Sequence, residues 1–561
     1  MKRFFNWKLF LLLIVLAAGL LRFYDLGSVP SSLFRDEVSI GYNAYSILTT
    51  GKDEHGIFLP LSLQSLGDQK LPLYVYSVVP FIKIFGLTDF APRIPAAIAG
   101  VLIVLLTYFL VEELFKKKNL SLLASFFMAI SPWGIFSSRI THETTLSLLF
   151  TIIATLLFLK SKEKKWLICI SFIFFGLTLF TYHASQIFTP IFVVGLIILN
   201  KNVWQANKKQ FLIGAFVFCL IAILSFAITF SGDLKKISGV GIFSNSSIQY
   251  YKIERPRNEH FENVLVAKIL YNKFTAYPFV LGENYLSAFS PDFLFNKGGQ
   301  NPWESMEQMG YFYLIDSVFI FLGIIFMIKK KEKSINNILL WLLIAPIPGA
   351  ITIDAPGEPR VLTMLVPLII LIAYGVYSSC LFLLSYKKKV LGYGGIVAIA
   401  IIYFVSFVFF LDSYFVLFPI NRAVFYGYGY KQEAQISSTS KAKKIIVSGL
   451  YDYTYPYFLY YLDYSADKFR SQVKYAALTS DNFLPVKSFD KFNFVDTVDW
   501  KTVCNDNDVL IFDAYSNFPK SIQPDGIIYL PDKTSRFAYI EVNQSKCLNF
   551  ENSLIGPSIV R

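Results

Sequence analysis

Histidine occurs four times and cysteine five times in the 561-residue chain. The cysteine spacing matches no zinc motif, and no H-E-x-x-H run is present, so the familiar zinc classes drop out. There is also no G-x-x-x-x-G-K-[ST], no G-x-G-x-x-G and no G-x-S-x-G, which removes P-loop, dinucleotide-binding and nucleophile-elbow chemistry. Neither a tandem repeat nor a low-complexity segment occurs. Charge is scarce as well, at 16% of residues, and acids are the scarcer sign: 39 against 52 basic residues, a formal net charge of +13.

What replaces charge is apolar surface. The chain is 54% hydrophobic and 17% aromatic, with mean hydropathy +0.50. Apolar runs near the length of a bilayer crossing recur along it, which reads as an all-α polytopic membrane protein. The run at 9–21, behind Lys2, Arg3 and Lys8, lacks a small-x-small cleavage site before Arg22 and is read as a retained first span. The positive excess sits in short clusters between apolar runs, at 116–118, 160–165, 207–209, 329–333 and 387–389. That is the pattern of cytoplasmic loops rather than of a nucleic-acid surface.

Placing every cluster inside predicts about eleven spans: 8–24, 91–115, 119–136, 144–159, 166–181, 187–200, 210–230, 312–328, 337–353, 361–385 and 390–411. The N-terminus is then cytoplasmic and the C-terminus extracytoplasmic, in a multi-pass protein of the cell membrane. The stretch 71–86, with Pro72, Pro80 and Lys83, is expected along the outer interface. The predicted domains are a transmembrane domain, 1–411, with external loops 25–90 and 231–311, and a small extracytoplasmic α/β domain, 412–561. In the latter, KKIIVSG, DVLIFDAY, GIIYLP and FAYIEV read as strands, and YPYFLYYLDY as a helix. Cys169, Cys219 and Cys380 fall in apolar runs. Cys504 and Cys547 lie in the tail, face an oxidising compartment and are expected to pair.

The scarce acids identify the candidate site. In FRDEVSIGYNAY, Asp36 and Glu37 stand just outside the first span. Ile40, Ala44, Ile47 and Leu48 follow at helical spacing, so the stretch reads as an amphipathic helix on the membrane with Asp36 at or near its N-cap. A cap explains one acid. It does not explain why the next external turn carries Arg139, His142 and Glu143. Lys70 and Arg360 are cations at headgroup depth on the same side, for which snorkelling is the plain account. His183 joins them in TYHASQ. Carboxylates beside cations at that depth suggest a lipid-linked phosphate next to a catalytic acid or base.

The acid-bearing first loop, followed by QKLPLYVYSVVPFIKIFGLTDFAPRIPAA, resembles the GT-C glycosyltransferases of family 39, which include protein O-mannosyltransferases and lipid A aminoarabinose transferases. SPWGIFSSRITHETTLSLLF, TYHASQIFTP, YLSAFSPDFLFNKGG and GEPRVLTMLVP resemble bacterial members in the same order, over roughly residues 5–410. The resemblance implies transfer of a sugar from a polyprenyl-phosphate carrier to a lipid, glycan or protein acceptor outside the cytoplasm. It also implies Asp36 as catalytic acid, Glu37 as its neighbour and Lys70 as a phosphate contact. Glu143 stands where the family commonly has aspartate, and Arg360 matches a basic position only approximately. Arg139, His142 and His183 complete the substrate-binding candidates. No cofactor is required, and a divalent metal bridging carboxylate and phosphate is compatible. The rival readings are a transporter or flippase of a lipid-linked substrate, in which charges should sit at mid-membrane, and a scaffold displaying the tail.

Overall fold

Apolar helices carry most of the chain. The computed structural model describes residues 6–66, 68–232, 241–259, 264–450, 453–479, 484–504 and 506–542. Two compact units emerge: a helical unit of Met1–Leu26 with Arg93–Val416, and a mixed unit of Gly27–Pro92 with Leu417–Arg561. The predicted boundary at 411 lies close to the second junction. The first loop, assigned by sequence to the transmembrane domain, is grouped here with the tail.

In the helical unit an apolar helix occupies each predicted span, and the protein is a multi-pass membrane protein. Among the described residues five helices are long and apolar enough to cross a bilayer by themselves: Ala91–Phe115, Glu143–Lys160, Lys208–Phe230, Glu358–Leu384 and Lys389–Asn421. The pair Lys118–Ile130 and Pro132–Ser138, bent by 56°, adds a sixth if taken as one span. Leu167–Thr178 and His183–Leu199 are shorter apolar helices. The predicted count of eleven therefore exceeds what helix length alone supports.

Helices that are apolar all round separate by burial. The window in Glu358–Leu384 is 89% buried, so this helix is core, whereas that in Lys389–Asn421 is 11% buried and presents its side chains outward, as a lipid-facing helix does. Leu314–Lys329 and Leu365–Leu384 touch backbone to backbone. A Cβ on Gly323 would lie 2.2 Å from the Leu371 carbonyl oxygen, and one on Gly375 would lie 2.1 Å from that of Phe319. Small residues at membrane-helix contacts permit this approach.

The mixed unit holds a hairpin, β1 (Leu63–Ser65) against β2 (Asp68–Lys70), and a larger sheet. The latter comprises β3 (Lys444–Ser448), β4 (Lys474–Tyr475), β5 (Val486–Phe489), β6 (Phe492–Val495), β7 (Val509–Ala514), β8 (Gly526–Tyr529) and β9 (Ser535–Val542). Its order is β4-β5-β6-β3-β7-β9-β8. β3 runs parallel to β6 and β7, and the outer pairs are antiparallel. Ile511, Ile540 and Val542 pack with Trp500 and Ile522 on one face. The four predicted strands are β3, β7, β8 and β9, and the predicted helix is Tyr455–Tyr461. Cys504 is disulfide-bonded, and Cys169, Cys219 and Cys380 are free. Cys547, its expected partner, lies outside the described residues.

The helix Arg35–Thr50 is not an open amphipathic surface helix. Every residue from Glu37 to Ala44 is buried, because the helices Pro72–Phe85 and Tyr455–Tyr461 pack against it. The Tyr42 hydroxyl donates to the Tyr464 carbonyl at 3.1 Å. Pro72–Phe85 is a helix as expected, and its Lys83 side chain is exposed. We propose that this helix lies on the outer surface. A cysteine at position 83 should then react with a membrane-impermeant maleimide in intact cells, and labelling only after lysis would reverse the orientation.

Candidate active site

Local structure in the mixed unit sets one pair of predicted residues side by side. The helix Arg35–Thr50 begins after Phe34, so the cap is Phe34 rather than Asp36. Glu37, three residues on, reaches back: its Oε2 accepts the Phe34 N–H at 2.8 Å. The buried carboxylate of Glu37 thus satisfies a helix-start donor, the reciprocal half of a capping box. This leaves Asp36 without the capping duty expected of it. Lys70 closes β2, opposite Leu63, immediately before Leu71 caps Pro72–Phe85. The strand end and the helix start meet there, and Lys70 Nζ lies 3.4 Å from Asp36 Oδ1. The lysine side chain is 9% exposed and the aspartate 40%. A shielded cation therefore holds a carboxylate that solutes reach.

The helical unit gathers a second group. His142, Glu143 and Thr144 open the helix Glu143–Lys160. Glu143 is half-buried in its first turn, where the positive end of the helix favours an acid. His142 Nδ1 pairs with Thr144 Oγ1 at 2.8 Å. His183 opens the helix His183–Leu199, with Nδ1 at 3.4 Å from Gln186 Oε1. Arg360 Nη1 pairs with Asp354 and donates to Thr352 Oγ1 at 3.3 Å. Arg360 also lines a narrow cleft with Thr144, Ser147, Tyr182, Ser185 and Thr363. A guanidinium among hydroxyls suits a phosphate oxygen.

Arg139 does not join them. Its Nη1 donates to the Leu21 and Arg22 carbonyls at 3.0 and 3.1 Å, and its Nη2 to the Asp25 carbonyl at 3.3 Å. The guanidinium lies 4.7 Å from the Phe415 ring centroid. It closes the end of the helix Trp7–Phe23, and a substrate phosphate has no open path to a cation so enclosed.

Two acids that the sequence reading passed over bind together the turns that carry Trp133, His142 and Asn301. Glu358 is fully buried. Its Oε1 accepts the Trp133 indole N–H at 2.6 Å, and its Oε2 lies 3.3 Å from His142 Nε2, an ion-pair distance without a hydrogen bond. The Glu358 N–H donates to Glu304 Oε2 at 3.1 Å, and Asn301 Nδ2 donates to Glu304 Oε1 at 3.1 Å. Burial lifts the Glu304 carboxyl above the usual range, against the pull of these two donors. The signal for Glu358 was present in GEPR: an acid at the edge of a long apolar run, the reasoning already applied to Glu143. Among the described residues no three His, Cys, Asp or Glu side chains converge in a metal-holding group.

Residues 69–228 match the family model described as dolichyl-phosphate-mannose-protein mannosyltransferase. In fold, the chain resembles ArnT from Cupriavidus metallidurans bound to undecaprenyl phosphate, with a TM-score of 0.51 at 9% identity, over 95% of this chain and 97% of that one. The chain is thus similar to this mannosyltransferase family over residues 69–228, and to ArnT in fold. The Bacillus subtilis (strain 168) protein "Putative mannosyltransferase YkcB" is 29% identical over 169 residues, which are 29% of this chain and 22% of that relative's length. The archaeal oligosaccharyltransferase AglB from Archaeoglobus fulgidus gives a TM-score of 0.48 at 14% identity, over 82% of this chain and 64% of that one. The family match includes Lys70, Arg139, His142, Glu143 and His183 and leaves Asp36 and Arg360 outside it.

Proposed function

We propose that the protein is a membrane glycosyltransferase that moves a sugar from a polyprenyl-phosphate carrier to a hydroxyl of a lipid, glycan or protein outside the cytoplasm. One observation carries this reading: the half-open Asp36 carboxylate held 3.4 Å from the shielded Lys70 ammonium. The acceptor oxygen attacks the anomeric carbon, and a new C–O bond forms as the bond from that carbon to the carrier phosphate breaks. The hydroxyl proton passes to Asp36, and the bonding electron pair leaves with the polyprenyl phosphate. A single displacement of this kind inverts the anomeric centre.

Lys70 is assigned the charge growing on the leaving phosphate. In the helical unit, Arg360, Glu143, His142 and His183 are assigned to substrate binding. Glu37 acts through the helix it caps, and Arg139 through the helix end it closes. The likeness to ArnT, which was solved with undecaprenyl phosphate, supports a polyprenyl carrier. The proposed displacement needs no cofactor. Transfer that persists in EDTA agrees with this, and EDTA-sensitive transfer would place a divalent ion between carboxylate and phosphate.

Mass spectrometry of lipids, glycans and secreted proteins, from cells with and without the protein, should show one product lacking a single sugar. In membranes, Lys70→Ala and Arg360→Ala should each raise the donor KM. Loss of a desolvated charge contact costs about 2–5 kcal/mol when its partner is left unpaired. Unchanged donor kinetics in both variants would remove these cations from the site.

A further inference from the structure

Most of the described arginines spend their donors inside the protein. Arg22, Arg93, Arg139, Arg257, Arg360 and Arg470 each donate to a main-chain carbonyl or a carboxylate. Arg35 and Arg536 do not. Among the described residues neither guanidinium forms a hydrogen bond or an ion pair, and both side chains are half-buried. Each rests on aromatic rings instead. The Arg35 guanidinium lies 5.5 Å from the Phe34 ring centroid and 5.8 Å from that of Tyr453. That of Arg536 lies 4.8 Å from Phe537 and 5.6 Å from Tyr430. Tyr430 packs on Tyr457 with ring centroids 4.9 Å apart, and the Tyr457 hydroxyl donates to the Leu33 carbonyl at 3.2 Å. Both guanidinium groups act electrostatically on the Tyr457 phenol, so the two cations share one neighbourhood of the mixed unit.

Stability explains neither position. Arg35 is the first residue of the helix Arg35–Thr50, where the positive end of the helix disfavours a cation. The acids that follow it are engaged elsewhere: Asp36 with Lys70 at 3.4 Å, and Glu37 with the Phe34 N–H. Arg536 Nε is buried without an acceptor among the described residues, a desolvated donor left unmade. Glu433 is buried nearby and does not offset it. Burial pushes the Glu433 carboxyl well above the usual range, against the pull of Arg536, and so keeps it uncharged. Asp513 gives an oxygen to the Ala514 N–H at 2.8 Å. A guanidinium stacked on a ring keeps its edge of N–H donors for an oxyanion.

Two cations with separate aromatic seats suit a chain of repeated charges better than a single anion. Repeated charge and free hydroxyls occur together in acidic glycans. Adjacent helix residues point about 100° apart, so an anion on Arg35 sits beside Asp36 and not on it. The Asp36–Lys70 pair stays available for the reacting hydroxyl and the donor. We propose that Arg35 and Arg536 bind an acidic glycan, bearing phosphate or carboxylate groups, and that this glycan is the acceptor whose hydroxyl reaches Asp36. The proposal rests on the reading of Asp36 given above.

The test uses the full-length protein in phosphatidylcholine nanodiscs and phenylglyoxal, which modifies open arginines. Peptide mapping should find Arg35 and Arg536 modified, and resistance of both to the reagent overturns the proposal. Dextran phosphate or hexagalacturonate should cut modification at both at least about fivefold, and high salt should abolish that protection. Maltohexaose, the neutral match in length, and hexaglutamate should leave modification unchanged. Arg35→Gln should remove the protection at Arg536 at unchanged thermal stability. If that variant does not fold, Arg536→Gln read at Arg35 decides the same point. No protection by either acidic glycan overturns the proposal, and so does equal protection by maltohexaose. Protection by hexaglutamate would make the partner a peptide, and protection by dioleoylphosphatidylglycerol added to the nanodisc would make the pair a membrane contact; either overturns it. Undiminished protection at Arg536 in Arg35→Gln overturns it too. Glycan protection in a protein that transfers no sugar would uphold the binding face and sink the transferase. Transfer to a neutral acceptor with no protection would do the reverse.

Discussion

Asp36→Asn lowers sugar transfer by roughly 10²–10⁴-fold, the usual contribution of a positioned acid or base. The amide has the shape of the carboxylate but does not take the acceptor proton. Stability should hardly move, for two reasons. The helix start is satisfied by Glu37, not Asp36. The ion pair with Lys70 involves an aspartate side chain 40% exposed, and such pairs contribute little to folding. Activity and stability therefore separate in this variant. The assay is transfer in isolated membranes beside a thermal melt of the purified protein. Near-normal transfer in Asp36→Asn, with loss in Glu143→Gln, would move the base to the other acid. Full activity in both would leave the two carboxylates as helix-end charges and nothing more.

Glu358→Ala should be the most destabilising single change in the turns around Trp133 and His142. The carboxylate is fully buried, accepts from Trp133 and faces His142. Its removal strands the buried indole N–H and leaves a cavity beside His142. An unsatisfied buried donor costs about 1–3 kcal/mol, and the cavity adds to that. Glu358→Gln keeps an acceptor oxygen for Trp133 and should fall well short of that loss. Detergent-solubilised protein compared by thermal aggregation checks both. A melting profile for Glu358→Ala that overlies the wild type would mean that the turns stand without this carboxylate.

Much of the membrane architecture was legible because composition and basic clusters are one-dimensional signals. The apolar helices fall on the predicted spans, although the number that cross does not follow from helix length. Strands β3, β7, β8 and β9 were legible as apolar runs of three or more residues. The β5–β6 hairpin was not. Its sequence VKSF-DK-FNFV has neither an apolar run nor a clean alternation in β5, and Asp490 takes the left-handed φ of 47° that the turn needs. Four residues without a period of two are easily lost among the polar stretches of the tail.

The site was legible as a set of residue types and opaque in its division of labour. Asp36 and Glu37 are neighbours in FRDE, but the N-cap is Phe34, two residues before Asp36, and the acceptor for its N–H is Glu37. Arg139 and Arg360 both read as cations in external turns. One spends its donors on main-chain carbonyls, and the other borders a cleft of hydroxyls. Nothing local to either arginine separates those fates. Glu304 and Glu358 meet across 54 residues, a distance at which one sequence carries no pairing signal.

The first helix carries a debt of timing. Arg22 is fully buried, and its guanidinium donates to the Ala129 and Met128 carbonyls, 107 and 106 residues later in the chain. Ribosomes add about 5–20 residues per second, so roughly 5–20 s pass before those carbonyls exist. Until then the translocon must hold a helix whose arginine has only its own Ala18 carbonyl and interfacial water for company. The break at Ser131 between Lys118–Ile130 and Pro132–Ser138 supplies the acceptors that end this wait. Release of the opening segment into lipid is thereby tied to the synthesis of a bend more than a hundred residues downstream.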